Sequence, residues 1–299
     1  MAKVLRTSLK IMSPTRQLRK HFDKSFAAVG PSAVLPDEYA EPCDDFNRYS
    51  LLIHGEKKIG KTSIALQGGK VLLLQFDPPQ LAYKRMEIVI ETWKHYLAVL
   101  RNLETAKPFP YDRVVIDGAE QWYRMAFDHA CSTLAVDDPG DEGYGKGWNL
   151  VRRTFAEGVD RFLRLSCGRW FTAHSMWREV ETRQGTKIMK LLPTLSKQAE
   201  EILNGRVDGW FAYDYVEDKR VLIVQGDEHT GAGHRFDESG FEHFRTPKGR
   251  VVREIDMGSS PAEAYQNLMK GFDNKLLTTK VDEGVVPPVK PTPKFAKKR

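Results

Sequence analysis

From Arg48 onward, short and nearly continuous apolar runs alternate with longer stretches whose apolar residues recur at helical spacing. KVLLLQF (Lys70 to Phe76) and DRVVID (Asp112 to Asp117) are too short for membrane spans and read as strands covered on both faces. Leu51 to His54 gives a first strand, and GRWFTAHS a fourth that ends in His174 and Ser175. VDGWFAYDYV and KRVLIVQ alternate well enough to predict two more. Helices are predicted from Lys61 to about Gln67 and in ETWKHYLAVLRNLE, where Trp93, Tyr96, Leu97 and Leu100 share a face. AEQWYRMAFDHACSTL, WNLVRRTFAEGVDRFLRL and PAEAYQNLMKGFDNKLL are also read as helical, as is TLSKQAEEILN with Thr194 or Ser196 as N-cap. REVETRQGTKIMKLLP reads as a hairpin or mobile loop, and VDDPGDEGYGKG as an acidic, glycine-rich loop. Strands alternating with helices predict an α/β fold, a mostly parallel sheet flanked by helices.

The flanks differ in texture. VGPSAVLPDEYAEPCDD is rich in proline and turn formers and has no clear period. The expected organisation is a basic, Pro-containing arm (1–47), an α/β domain (48–257), and a short helix with a disordered basic tail (258–299). The 299 residues are 41% hydrophobic and 29% charged, which is ordinary globular composition. No apolar run approaches the roughly 20 residues that cross a bilayer, so no membrane partner is expected.

A net charge of +6 suits a phosphate-bearing partner, and its distribution sharpens that reading. Lys3, Arg6, Lys10, Arg16, Arg19 and Lys20 precede the first acidic residue, and the chain ends KPTPKFAKKR. Nucleic-acid contact and plain solvation are both open for these ends. A transit peptide fits less well because Pro14 interrupts the amphipathic pattern. Cys43, Cys131 and Cys167 show no C-x-x-C spacing and read as reduced thiols of a cytoplasmic protein.

The chemistry begins at SLLIHGEKKIGKTSIAL, which contains G-x-x-x-x-G-K-[ST] between an apolar strand and a helical pattern. Such a loop turns backbone N–H groups inward, and glycines at Gly55 and Gly60 permit the close backbone approach. The helix beginning near Lys61 adds the positive end of its dipole. The segment Gly55, Glu56, Lys57, Lys58, Ile59, Gly60, Lys61, Thr62 and Ser63 is therefore the candidate nucleotide site. Lys61 is expected to reach the β- and γ-phosphates and Thr62 to ligate Mg²⁺. The side chains of Glu56, Lys57 and Lys58 are assigned no chemistry.

Asp117, closing the strand RVVID, is the expected second metal residue, acting through water. Hydrolysis also needs a group to orient or deprotonate water, and two carboxylates compete: Asp77, after the second strand, and Glu120, in the first turn after Asp117. His174 is a candidate sensor of the γ-phosphate. His229 and His234 have some metal-like spacing but are read as loop residues.

LLIHGEKKIGKTS, DRVVIDGAEQWY, GYGKGWNLVRRTF and RWFTAHS, in this order, resemble phage-type RecA-like ATPases associated with recombination and single-strand annealing. The resemblance covers roughly Arg48 to Asp256 and implies a RecA-like P-loop NTPase core. It also implies ATP and Mg²⁺ binding, single-stranded DNA as partner, and homo-oligomers with ATP at the subunit interface. In such enzymes the water-activating acid follows the strand next to the phosphate loop, which favours Asp77, although a glutamate is usual there. A basic residue from the neighbouring subunit reaches the γ-phosphate, with Arg178, Lys187, Lys190 and Arg235 as candidates. The DNA-contacting loops map to DPGDEGYGKG and REVETRQGTKIMK. The first is acidic through Asp137, Asp138, Asp141 and Glu142. The second, with Arg178, Arg183, Lys187 and Lys190, suits a phosphate backbone better, and Trp177 either stacks on a base or packs. The cytoplasm of a phage-infected bacterium follows from the resemblance alone. A helicase-type motor, a small-molecule kinase and a non-catalytic nucleotide switch are the competing readings.

Overall fold

The computed structural model describes residues 39, 41–78, 81–82, 84–238 and 241–276. Most of the expected N-terminal arm and the basic tail beyond residue 276 lie outside these residues. Contacts divide the chain between Pro42 and Cys43, and the description below concerns the unit from Cys43 onward.

The sheet elements are β1 (Ser50–Gly55), β2 (Val71–Gln75), β3 (Met86–Val89), β4 (Arg113–Asp117), β5 (Gly168–Glu181), β6 (Lys187–Pro193), β7 (Gly209–Val216) and β8 (Lys219–Ile223). Short strands β9 (Gly233–His234), β10 (Asp237–Glu238), β11 (Phe241–Glu242) and β12 (Glu254–Asp256) follow. The helices are α1 (Lys61–Ala65), α2 (Trp93–Thr105), α3 (Ala119–Leu134), α4 (Lys146–Leu163), α5 (Lys197–Asn204) and α6 (Pro261–Phe272).

The main sheet runs β12-β8-β7-β1-β5-β4-β2-β3. It is parallel from β7 through β3, while β8, β12 and the hairpin strand β6 are antiparallel. The phosphate-loop strand β1 and the Asp117 strand β4 are thus separated by one strand, β5. The α/β class, a mostly parallel sheet flanked by helices, is the one expected from the sequence.

Pleating explains why the strands are apolar almost throughout. Leu52, Leu72, Leu74, Val114, Ile116 and Phe171 face one core with Trp93, Tyr96, Trp122, Phe155 and Phe162 of α2, α3 and α4. Leu51, Ile53, Leu73, Val115 and Trp170 face the other core, closed by α1 and α6 through Ile64, Leu268 and Phe272. Phe46, near the end of the expected arm, is fully buried in this second core.

The structure revises two local readings and adds one strand that the sequence did not predict. The fourth strand does not end at His174 and Ser175. It continues to Glu181 and pairs with β6, so REVETRQGTKIMKLLP is a hairpin turning at residues 182–186. The acidic segment is not open loop throughout, since Pro139–Asp141 and Gly143–Gly145 form two 3-10 turns. Edge strand β3 escaped the sequence pattern because Met86 and Val89 are exposed and only four residues pair. Of the two N-cap candidates on α5, Ser196 does the capping, accepting from Ala199 N.

Candidate active site

The loop from Gly55 to Gly60 leaves β1 at its carboxyl end, between β7 and β5. Gly55 is required by packing: a Cβ there would stand 2.2 Å from the carbonyl oxygen of Tyr213 on β7. Gly60 is required by conformation, with φ at +114° in the left-handed region. Lys61, Thr62 and Ser63 then open α1.

A cavity of about 500 Å³ lies along this loop, lined by loop residues, by groups just past β2 and at and past the end of β4, and by Thr172, Ala173 and His174 in the middle of β5. Lys61 curls back into the loop, donating to Gly55 O at 3.0 Å and Glu56 O at 2.7 Å. Burial lowers its pKa to about 8, although the carboxylates of Glu120, Asp117, Asp77 and Glu56 favour the charged form.

Asp117 is held from three directions. Thr62 Oγ1 donates to its Oδ1 at 2.8 Å, Thr172 Oγ1 donates to the same oxygen, and Gln75 Nε2 donates to Oδ2 at 3.3 Å. A hydroxyl and a carboxylate converge here, the hard oxygen ligands that magnesium takes together with nucleotide phosphates and water. The residues present therefore fit the ion. No group of three His, Cys, Asp or Glu side chains suited to hold a metal occurs among the described residues. His229 bonds Met189 O through Nδ1 at 3.2 Å, and His234 stacks on Phe236, as structural residues do.

The two competing acids have different surroundings. Glu120 is engaged: its Oε1 accepts from the backbone N–H of His174 and lies 3.2 Å from Nδ1 of the same ring. Asp77 lines the cavity beside Gly118, whose missing side chain leaves room for it, since a Cβ there would stand 2.8 Å from Asp77 Oδ2. Burial first, and then the charges of Glu120 and Asp117, raise the pKa of Asp77. His174 faces the cavity with Lys57, Lys58 and Glu120.

All four candidate catalytic residues, Lys61, Asp77, Glu120 and His174, thus line one cavity with Thr62 and Asp117. The basic residues considered for a neighbouring site lie elsewhere and have partners in their own chain. Arg178 pairs with Glu200 at 2.9 Å, Lys187 with Glu179 at 2.8 Å, Lys190 donates to Asp227 O, and Arg235 donates to Gly205 O. The hairpin β5–β6 sets Arg178 opposite Lys190 and exposes Trp177 and Met189. In the acidic segment the Tyr144 ring is fully exposed.

Sequence reasoning missed Gln75 and Thr172, which orient Asp117, and Tyr213, which backs Gly55. Gln75 and Thr172 did carry a signal. Each is a polar residue within an apolar run, LLLQF for Gln75 and WFTA for Thr172, and a buried polar group needs a partner.

No curated protein matches the chain. Among solved structures it is similar to the KaiC-like protein PH0186 from the hyperthermophilic archaeon Pyrococcus horikoshii OT3. That similarity is at 13% identity with a TM-score of 0.36, over 63% of this chain and 83% of that one. Residues 47–236 match the AAA domain family, more than half of the chain. The chain therefore belongs to the AAA domain family, whose nucleotide-binding P-loop ATPase core this is.

Proposed function

We propose that this protein binds ATP with Mg²⁺ and hydrolyses it, and that hydrolysis is coupled to single-stranded DNA in phage-type recombination, annealing or replication. The observation that carries the reading is the convergence of Lys61, the Thr62–Asp117 pair and Asp77 on one cavity beyond the carboxyl ends of β1, β4 and β2. In this reading Lys61 leaves its two loop carbonyls to take the β- and γ-phosphates. Thr62 and Asp117 would hold magnesium, whose contribution is to neutralise phosphate charge.

Asp77 is the general base for the attacking water. Its carboxylate is the one not engaged by His174, and its raised pKa brings it nearer the range in which a base works at neutral pH. Glu120 fixes the backbone and ring of His174, which faces the terminal phosphate. The middle of β5 lines the nucleotide site and its end lies in the hairpin, so a change at His174 has a covalent path to Arg178 and Lys190. That hairpin is the proposed DNA contact: its cations suit phosphates, and exposed Trp177 suits a base face. Assembly of copies with ATP between them would bring a basic side chain of one copy to the next.

Steady-state ATP hydrolysis with and without single-stranded DNA, beside Lys61→Ala, tests the reading. DNA stimulation that disappears in the variant is expected. Hydrolysis indifferent to DNA would remove the DNA coupling. ATP binding without any hydrolysis would favour a nucleotide switch.

A further inference from the structure

We propose that Arg220 holds the nucleoside end of the bound nucleotide, an assignment that rests on nucleotide binding at the phosphate loop. Strand order divides the surroundings of that loop into two sides. On one side of β1 stand β5, β4 and β2, bringing Thr172, His174, Asp117 and Asp77. On the other stand β7 and β8, bringing Tyr213 and Arg220.

Arg220 reaches the loop at Gly60. Its Nη1 is 3.6 Å, and the Tyr213 hydroxyl 3.8 Å, from the point a Cβ on Gly60 would occupy. Nη2 donates to Gly258 O at 3.0 Å, which fixes the guanidinium through a neutral acceptor and leaves its positive charge uncancelled. No carboxylate forms an ion pair with Arg220 among the described residues.

The two sides suit opposite ends of a nucleotide. The Thr62–Asp117 corner and Asp77 belong with the terminal phosphates and the attacking water. Three carboxylates crowd that side, so the nucleoside extends away from it, toward β7 and β8. There a planar guanidinium offers a face for a nucleobase and donors for its acceptors. Lys57, Lys58 and Lys61 line the cavity and give the phosphates their cations in this reading. Arg220 is the group left for the other end.

The test is equilibrium titration of the full chain with ATP, ADP and inorganic tripolyphosphate, comparing the natural protein with Arg220→Ala and Arg220→Gln. Arg220→Ala is expected to weaken ATP and ADP by the same factor, about tenfold, and to leave tripolyphosphate unchanged. Arg220→Gln keeps a donor for Gly258 O and should show the same loss with a native melting temperature, which decides the matter if the alanine variant does not fold. Unchanged affinity for ATP and ADP overturns the assignment. An equal loss for tripolyphosphate overturns it too, because Arg220 would then shape the loop. A loss for ATP without one for ADP would move Arg220 to the γ-phosphate. A natural protein that binds neither nucleotide would refute the proposed function itself, and this assignment with it.

Discussion

The guanidinium of Arg113 lies over the ring of Trp170, with its central carbon 3.7 Å from the ring centroid, and the arginine is fully buried. Its partners are neutral acceptors: Ala65 O at 3.0 Å, Gln67 O at 2.7 Å and Asn47 Oδ1. The first two belong to the end of α1, where a cation meets the negative end of the helix dipole. One side chain thus ties the phosphate-loop helix, the segment before β1 and, through Tyr265, helix α6. Replacement by methionine would leave the carbonyls of Ala65 and Gln67 without their donor, while Asn47 Oδ1 would keep its bond from the Tyr265 hydroxyl. Arg113→Met is expected to lose about 3 kcal/mol of stability in urea unfolding. Arg113→Lys should recover little of it, since an ammonium has neither the fork nor the stacking face.

His54 makes stability depend on pH. The ring is fully buried, Nε2 donates to Gly231 O at 2.7 Å, and Nδ1 therefore accepts from the Ser175 hydroxyl, also at 2.7 Å. Burial lowers its pKa from 6.5 to about 4. The unfolded chain takes up the proton first, so this contribution is complete above pH 6.5 and is lost as pH falls from there toward 4. The loss is about 3 kcal/mol in all. Urea midpoints measured across that window should fall, and His54→Gln should flatten the slope. An unchanged slope in the variant would assign the acid sensitivity elsewhere.

Lys61 is expected to couple nucleotide binding to proton uptake. With its pKa near 8 before binding, it is about half neutral at that pH. Phosphates restore the charged form, so ATP binding at pH 8 should take up a fraction of a proton. Calorimetry in buffers of different ionisation enthalpy measures this directly. Lys61→Arg, which stays charged, should abolish the buffer dependence.

The two acids should separate in kinetics. Asp77→Asn is expected to lower turnover by at least about 100-fold while ATP still binds. Glu120→Gln weakens the hold on His174 and should cost about tenfold, the loss expected of a positioning group. The reverse order would make Glu120 the base.

Gly118 gives an independent check on Asp77. At φ +91° any side chain is strained, and a Cβ would press on Oδ2 of that aspartate. Gly118→Ala should cost about 1 kcal/mol of stability and reduce turnover more than it reduces ATP affinity. Equal effects on both would mean that the loop itself had moved.

Much of this molecule is written locally. The spacing Gly55, Gly60, Lys61, Thr62 needs no tertiary information, because the loop conformation and the dipole of the following helix come from neighbouring residues. The apolar runs of β1, β2 and β4 likewise announce a sheet covered on both faces, since no residue there has to face water. Asp117 could be placed from the end of its own strand. Tertiary structure decided what depends on partners distant in sequence. His174 looked like a strand end because GRWFTAHS loses its hydrophobicity there, but backbone pairing with β6 carries the strand on to Glu181. Glu120 and Asp77 were indistinguishable as isolated carboxylates. Folding placed both on one cavity but engaged Glu120 with His174, 54 residues away, and not Asp77. Arg113, Tyr213 and Arg220 carry no motif at all. Their roles exist only because parallel pairing brings strands far apart in the chain to either side of one loop.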